Sequence, residues 1–596
     1  MSDPRAEYGN RLEANLRRVA NSERVHIQIG NFKLAAICGA LVIAFLSLAK
    51  HRMPLYWLAV PVAIYVGLAV WHEFVIRART AAERAAEFYR KGIARIEDGW
   101  AGTGETGERF RSLNSVYADD LDLFARGGLF ELLSRARLPM GENRLARWLC
   151  APSAIGEIRE RHESLAVLRE KIDLRERVAV TGEGLRTRLA PESLTAWCNG
   201  ERMVPASGWR AVAASLAICA TATFIYFLWS ANFVPLLAVL FVEFLVYLWL
   251  HKRAESVVNG ILCNAEGLAL FSKIVNQLED EEFGSTELQG LVDELKQDGA
   301  RASGSIRKLS SIVYWIDARE GLVGRILELP MLYTVQSAFA AESWRERYGR
   351  RMSRWSEIVA EMEALLSLAA YSFEHPDDPF PEFVDDANST AIFDGEALGH
   401  PLIAASRCVR NSVRLDEAAR VLLVSGSNMA GKSTFLRTVG INAVMAMAGA
   451  PVRAKSLRLT PLSIGTRIRS ADSLQEGRSS FYTEILQIRQ VFELLGAATP
   501  LLFLFDELLE GTNSNDRKIG AECLIRSLLN RGAIGIVTTH DLALTEIAEA
   551  SGGLVRNMHF QDYVEDGKMR FDYRLREGVV AKSNALELMR LVGLKL

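Results

Sequence analysis

The sequence predicts a multidomain chain, in which a helical core domain carrying two apolar helical hairpins is followed by an α/β domain. Three observations predict it. At 596 residues the chain exceeds what one hydrophobic core organises, so several folding units are expected. Four long apolar runs stand in two close pairs. Beyond a proline-rich break, the helical texture gives way to short apolar runs bounded by turn residues, the pattern of buried strands alternating with helices.

The hairpins come first. Leu34–Ala49 and Leu55–Trp71 carry no charge and are separated by Lys50, His51, Arg52, Met53 and Pro54. Ala211–Trp229 and Phe233–Leu250 form a second pair, joined by Ser230, Ala231 and Asn232, with Glu243 inside the last run. Each run has 16 to 19 residues, close to the ~20 needed to cross a bilayer. A buried core helix is the alternative for the two shortest, but two apolar helices joined by a tight turn form a membrane hairpin, and the pattern occurs twice. Arg11, Arg17, Arg18 and Lys33 precede the first run, Arg77 and Arg79 follow the second, Arg210 precedes the third, and His251-Lys252-Arg253 follow the fourth. This bias places both termini and residues 72–210 in the cytoplasm, against Lys50 and Arg52 in the first external turn. A multi-pass protein of a bacterial-type inner or plasma membrane is expected, with the lipid bilayer as partner and the C-terminal domain in the cytoplasm. The first run starts too far in, and without a small-residue cleavage site, for a signal peptide. Glu243 is expected to point into a protein interior, pairing helices or protonated rather than conducting.

Composition excludes little else. The net charge of −2 gives no global positive field, so a nucleic-acid surface would have to be a local patch. The seven cysteines are scattered without a CxxC or His-Cys cluster, which argues against a disulfide framework or a zinc site.

The boundaries follow from texture. Residues 1–33 read as a cytoplasmic N-terminal helix, 34–72 as hairpin 1, 73–105 as a helical connector and 106–210 as the first part of the helical core. Residues 211–250 are hairpin 2, and 251–373 the second part of the core, its Leu, Ala and Arg at three- and four-residue spacing. The run His375–Pro381 holds three prolines in six residues, so 374–394 is read as a linker. Residues 395–596 form the α/β domain, with strands expected at Arg420–Ser425, Leu501–Phe505 and Ala533–Thr538.

Residues 426–433, Gly426-Ser427-Asn428-Met429-Ala430-Gly431-Lys432-Ser433, follow the first of these strands and open a helix, which is the context of an ATP-binding P-loop. Gly426 and Gly431 let the backbone turn its N–H groups inward around phosphates. Lys432 would reach the β- and γ-phosphates, and Ser433, followed by Thr434, would ligate Mg²⁺ through its hydroxyl. Asp506 and Glu507 directly follow the second strand. The first would hold Mg²⁺ through water, the second would orient or deprotonate the attacking water. His540 ends the third strand, where an imidazole can sense the γ-phosphate. The order Lys432, Asp506-Glu507, His540 is that of ABC-type ATPases, in which two subunits sandwich two nucleotides, so the domain is expected to be an ABC-type P-loop ATPase using ATP and Mg²⁺.

The residues carry a closer resemblance. Ser425–Arg437 resembles the Thr-Gly-Pro-Asn-Met-Gly-Gly-Lys-Ser-Thr loop of the MutS mismatch-repair family, the Asn428-Met429 pair being distinctive. Thr466-Arg467-Ile468, then Gly477-Arg478-Ser479-Ser480-Phe481 and Glu484, resemble its signature segment. Gly511-Thr512-Asn513-Ser514-Asn515-Asp516 resembles its Gly-Thr-Ser-Thr-x-Asp stretch, and Ala581-Lys582-Ser583 a further motif. Upstream, Pro139–Leu149 with Pro152 is similar to the opening of the family's helical core, and Gly399-His400-Pro401 to the segment introducing its ATPase. The resemblance implies a homodimer in which Ser479, with Ser480, reaches the partner's ATP, and helical arms whose ligand is DNA. The departures are specific. Residues 1–105 hold a hairpin instead of a mismatch-reading domain, and the stretch between the core's halves is too short for long levers and a DNA clamp. Cys408 stands where the family offers an aromatic ring to adenine, and Asn584-Ala585 replace an aromatic-Gly pair.

Three other features are read as ordinary surface. Arg345, Arg347, Arg350, Arg351 and Arg354 among Trp344, Tyr348 and Trp355 form a mixture able to contact phosphates and stack on bases, but such a run is more often a solvated helix face. Asp119-Asp120 and Glu279-Asp280-Glu281-Glu282 lack spaced partners and read as solvated acids. The expected function is a membrane-anchored, dimeric MutS-like ATPase. The alternatives are a half-transporter, which would carry an absent LSGGQ-like signature, and a membrane-organising ATPase whose arms bind protein or lipid.

Overall fold

The computed structural model describes residues 3–49, 54–113, 115–185, 191–205, 208–262, 265–297, 301–319, 321–384, 390–427, 429–468, 480–496, 499–510, 512–565 and 568–580. The chain forms two compact units. One comprises residues 1–94, 137–140 and 171–359, the other 95–136, 141–170 and 360–596. Residues 95–136 and 141–170 therefore group with the C-terminal residues and not with the helices of 171–359.

The first unit is helical. Helix Pro4–Leu48 starts at Asp3, whose side chain accepts the Arg5 N–H at 3.2 Å, with Pro4 at the first helical position, where its missing N–H costs nothing. It runs unbroken across the boundary expected at residue 33. Helix Ala59–Ile96 is its partner. Tyr8 packs edge-on to Tyr89 at 5.5 Å between centroids, and further along Lys33 Nζ, His72 and His26 form a chain of contacts at 2.6 and 2.7 Å. In the second pair, Gly208–Ser230 buries Ala213, Ala217 and Ala220 along one face, small side chains that permit close approach of Val234–Leu262. Glu243 is fully buried, with both carboxylate oxygens lacking a hydrogen-bond partner among the described residues. All four helices are long and apolar enough to cross a membrane, and side chains such as Leu41, Phe45, Ile225 and Phe241 are exposed.

The basic run turns out to be built differently from a simple solvated face. Trp344, Tyr348 and Trp355 are buried, as is Arg345. Trp344 Nε1 donates to Ser305 O at 2.8 Å, Arg345 donates to Glu342 and to the Glu201 carbonyl, and Arg354 forms a forked pair with Glu294 at 2.7 and 2.8 Å. The acidic run also differs from its reading as solvated. Glu279 is buried and accepts the N–H and hydroxyl of Ser303, while Asp280 and Glu281 pair with Arg301 and Lys171. Helical spacing hides such partners because they come from distant segments.

The second unit joins helices to two sheets. Its strands are β1 (Glu382–Phe383), β2 (Phe393–Leu398), β3 (Asn411–Leu415), β4 (Val421–Ser425), β5 (Ser456–Leu459), β6 (Ser463–Arg467), β7 (Leu501–Phe505), β8 (Ile534–Thr539), β9 (Val555–Glu565) and β10 (Lys568–Glu577). The larger sheet has the order β10-β9-β4-β8-β7-β6, parallel from β9 through β6 with β10 antiparallel at one edge. Every residue of β4, β6, β7 and β8 is buried, and β4, β7 and β8 read as largely apolar runs for that reason; β6, Ser463-Ile464-Gly465-Thr466-Arg467, is buried without being apolar and was not expected from the sequence. The smaller sheet has the order β1-β5-β2-β3. The proline-rich segment expected to be a linker thus contributes β1 and packs within this unit, with Asp378 buried and accepting the Tyr371 hydroxyl at 2.7 Å.

Between residues 106 and 128 the structure shows turns and one short 3₁₀ turn where helix was expected. One carboxylate ties the end of this stretch to the turn before it. Glu131, buried, accepts the N–H groups of Gly102, Gly104 and Gly127 at 2.7–2.9 Å, replacing helical bonds with side-chain ones. Another buried charge is also answered: Glu374 is held between Arg95, at 2.5 and 2.7 Å, and Arg135 at 3.2 Å.

Candidate functional site

Strand β4 ends in a loop whose backbone only certain residues tolerate. Gly426 has φ +152°, Met429 +75° and Gly431 +101°, and a Cβ at Gly431 would sit 3.0 Å from the Tyr573 ring. Gly431 is the residue from which helix Lys432–Ala448 departs, so its left-handed conformation turns the chain from strand into helix and aims the first helical N–H groups back over the loop. The far end of that helix is closed by Gly449, at φ +83°, and by Arg161, which donates to Ala448 O at 3.0 Å and lies over Trp148. A guanidinium on the last carbonyls suits the helix dipole.

Lys432 is buried and donates to Gly426 O at 2.8 Å and Ser427 O at 3.1 Å. Its Nζ is 3.8 Å from Glu507 Oε1. Burial lowers its pKa, opposed by the charges of Glu507 and Asp506. Those acids leave the end of β7. Asp506, buried, accepts the Thr538 hydroxyl through Oδ1. Glu507 adopts φ +49°, and its N–H donates to Thr538 Oγ1 at 3.1 Å. Thr538, one strand over on β8, thus clamps both acids. Glu507 Oε1 also lies 3.8 Å from His540 Nδ1. Burial and the neighbouring Glu510 push the Glu507 carboxyl above the usual range, with Lys432 and His540 opposing. The ligand atoms of Glu507, Glu510 and His540 lie within 4.8 Å of one another.

Lys432, Ser433, Thr434, Asp506 and Glu507 line one cavity of about 570 Å³. Ser427, Met429 and Gly431 also line it, and Ala430 is buried beside them. Asn428 and Ser479 lie outside the described residues, as do Gly511 and residues 581–596. His540 is not among the lining residues and reaches the site through Glu507. Cys408 does line the cavity, its Sγ accepting the His400 N–H at 3.2 Å. An aromatic ring comes from elsewhere: Tyr573, on the bulged part of β10, sits over Gly431 and lines the same space.

Sequence reasoning missed Thr538 and Tyr573 as site residues, and Arg467 entered only through the signature segment. Arg467 is buried, donates to Asp506 O at 2.5 Å and pairs with Glu484 at 3.4 Å, while Glu484 accepts the Leu509 N–H at 2.8 Å. Asp120, read as solvated, instead accepts the Ile468 N–H and the Thr466 hydroxyl, both at 2.8 Å. A threonine two residues before His540 at a strand end was the available signal for Thr538; nothing local marks Asp120.

Comparison with known proteins bears on the same region. Residues 422–595 match the family model of MutS domain V. The DNA mismatch repair protein MutS of Streptococcus uberis is 30% identical over 251 residues, which is 42% of this chain and 29% of that protein. The DNA mismatch repair protein MutS of Streptococcus pyogenes serotype M5 is 32% identical over 252 residues, with the same shares. The chain therefore spans less than a third of the length of these relatives.

Proposed function

Because this chain belongs to the MutS family through its C-terminal domain, we propose that it is a membrane-anchored MutS-like ATPase. It binds and hydrolyses ATP as a dimer and converts hydrolysis into clamp-like movement of helical arms. The observation that carries this reading is the convergence of Lys432, Asp506 and Glu507 on one cavity at the carboxyl ends of parallel strands, where open α/β sheets bind ligands.

The residues fit Mg²⁺-ATP. A glycine cradle stands at the start of a helix, a buried ammonium is answered mainly by loop carbonyls, and Thr538 takes Asp506 Oδ1 alone. Ser433 and Asp506 would hold Mg²⁺, which would supply neutralisation of the phosphate charge. Lys432 exchanges its carbonyl acceptors for phosphate oxygens. Glu507, whose carboxyl is held above the usual range by burial and Glu510 and which stands beside Lys432 at the cavity, is the base that takes a proton from the attacking water. His540, beside it, orients that carboxylate. Ser479 of a second copy completes the site, and DNA is the ligand of the arms by analogy with the relatives named for mismatch repair.

Lys432→Ala is expected to lose nucleotide binding. Glu507→Gln is expected to bind ATP, accumulate as a dimer in size-exclusion chromatography and hydrolyse about 10²–10⁴ times more slowly. Wild-type turnover by the Glu507 variant would refute the assigned chemistry. A second reading has one observation in its favour. The rings of Trp344, Tyr348 and Trp355 are in the core and cannot stack on bases, as expected if this is a membrane-organising or transport-coupled ATPase that does not bind DNA. Indifference of ATP turnover and retention to duplex, mismatched and branched DNA across salt concentrations would favour that reading.

A further inference from the structure

One hydrophobic surface of the first unit lies outside the four apolar helices. Between helices Ala302–Ala318 and Tyr333–Glu374 the chain turns through a short helix, Leu322–Leu327. A Cβ at Gly324 would lie 2.4 Å from Arg319 Cα, so glycine is what lets the short helix rest on the end of the preceding one. Seating Gly324 inward turns the opposite face outward. Leu322 and Ile326, one turn apart on that face, are 78% and 65% exposed. Tyr314 and Trp315, in the last turn of the preceding helix, are 69% and 60% exposed. Four large exposed apolar side chains within thirteen positions of the chain are more than the single residues a soluble surface scatters.

The neighbours of this surface give its level. Arg319 donates to Asn259 of helix Val234–Leu262 at 3.3 Å, and both Arg319 and Glu328 interact electrostatically with Tyr247 of that helix. Tyr247 stands one turn before His251-Lys252-Arg253, where the apolar run ends. At the same end of the hairpin the Trp209 and Trp249 rings are 4.7 Å apart and Arg253 lies over Trp249. Trp and Tyr with Arg at the end of an apolar span are what the headgroup region of a bilayer selects, and an apolar face flanked by basic residues is what lies in its plane.

We propose that residues 314–319 and 321–326 form a membrane-interface foot. Trp315, Leu322 and Ile326 enter the upper acyl region of the cytoplasmic leaflet beside the second hairpin, and Arg319 and Arg325 lie among the lipid phosphates. The occupant is lipid, because the surface is continuous with the charged end of the fourth apolar run. The proposal rests on the reading of that hairpin as membrane-spanning.

The test uses the full-length protein in phosphatidylcholine–phosphatidylglycerol liposomes, with photoreactive benzoylphenylalanine in place of Leu322, Ile326, Lys308 or Ile225, and mass spectrometry of the products. Ile225 is an exposed residue of the third apolar run, and Lys308 an exposed residue further back on the preceding helix. Lipid adducts are expected at Leu322, Ile326 and Ile225, with their loss at Lys308. Adducts at Ile225 combined with none at Leu322 and Ile326, or with cross-links to a second copy or another protein there, would overturn the foot and leave the hairpin standing. Absence of lipid adducts at Ile225 would remove the hairpin reading and the foot with it.

Discussion

Thr538→Val removes one hydroxyl and keeps the shape of the side chain, which makes it a sharp probe of how the acids are positioned. In the structure that hydroxyl donates to Asp506 Oδ1 and accepts the Glu507 N–H at 3.1 Å. Valine leaves a buried carboxylate oxygen and a backbone donor unanswered, each costing about 1–3 kcal/mol. Glu507 already holds a left-handed backbone at φ +49°, a conformation that costs about 1–3 kcal/mol in a non-glycine residue and persists only under external constraint. Freed from Thr538, it is expected to relax away from the cavity. If about 1.4–2.8 kcal/mol of that misplacement is felt in the transition state, turnover falls ten- to a hundredfold. Phosphate release measured against ATP concentration, with fluorescent-nucleotide binding in parallel, separates the effects: kcat should fall while nucleotide affinity holds. Thr538→Ser restores the hydroxyl and should restore most of the rate. Wild-type kcat in the valine variant, or equal impairment in the serine variant, would refute the argument.

Two further outcomes follow from how ionisable side chains are held. Burial holds His162, His375 and His400 down at about 4, so the unfolded chain binds their protons first and stability is lost as pH falls from about 6.5 to about 4, by up to about 3 kcal/mol per histidine. Burial pushes Glu374 up, but Arg95 and Arg135 outweigh it and hold the carboxyl at about 2; its contribution is present above the unfolded value and is lost between about pH 4.5 and 2. Melting temperature followed from pH 7 to 3 should therefore begin to drop near pH 6.5, and a flat profile down to pH 5 would contradict the histidine assignment. Asp120→Ala strips two acceptor bonds from the end of β6 and should cost about 2–4 kcal/mol, read as a lower denaturation midpoint, with Asp120→Asn losing less. An unchanged midpoint would show that those bonds do not anchor the strand.

Three strands of the larger sheet were legible because they are buried and largely apolar, as in Val421–Ser425, Leu501–Phe505 and Ile534–Thr539; β6, with Ser463, Gly465, Thr466 and Arg467, and the charged strands β9 and β10 carry no such run. The loop was legible for a related reason: only glycine at positions such as 431 permits that turn. What the sequence hid was partnership at a distance. Asp120 looks like any exposed acid until Ile468, 348 positions away, presents its N–H. Glu131 looks like a helical surface residue, although three glycine N–H groups converge on it. Tyr573 owes its place over Gly431 to a bulge in β10 that periodicity does not reveal.

That same Asp120 bond says something about the order in which the protein can be made. Synthesis delivers residues 95–136 and 141–170 early, yet their partners in the second unit arrive only after residue 360. By then all four apolar helices have left the ribosome. The early segment must wait, with Leu121 lacking the Gly440 backbone it packs against and Arg161 lacking the Ala448 carbonyl. Closing such a long loop costs little at equilibrium but leaves apolar surface uncovered in the meantime. The second unit is therefore a late-closing structure, and a fragment beginning at residue 395 would be born without the piece that fastens β6.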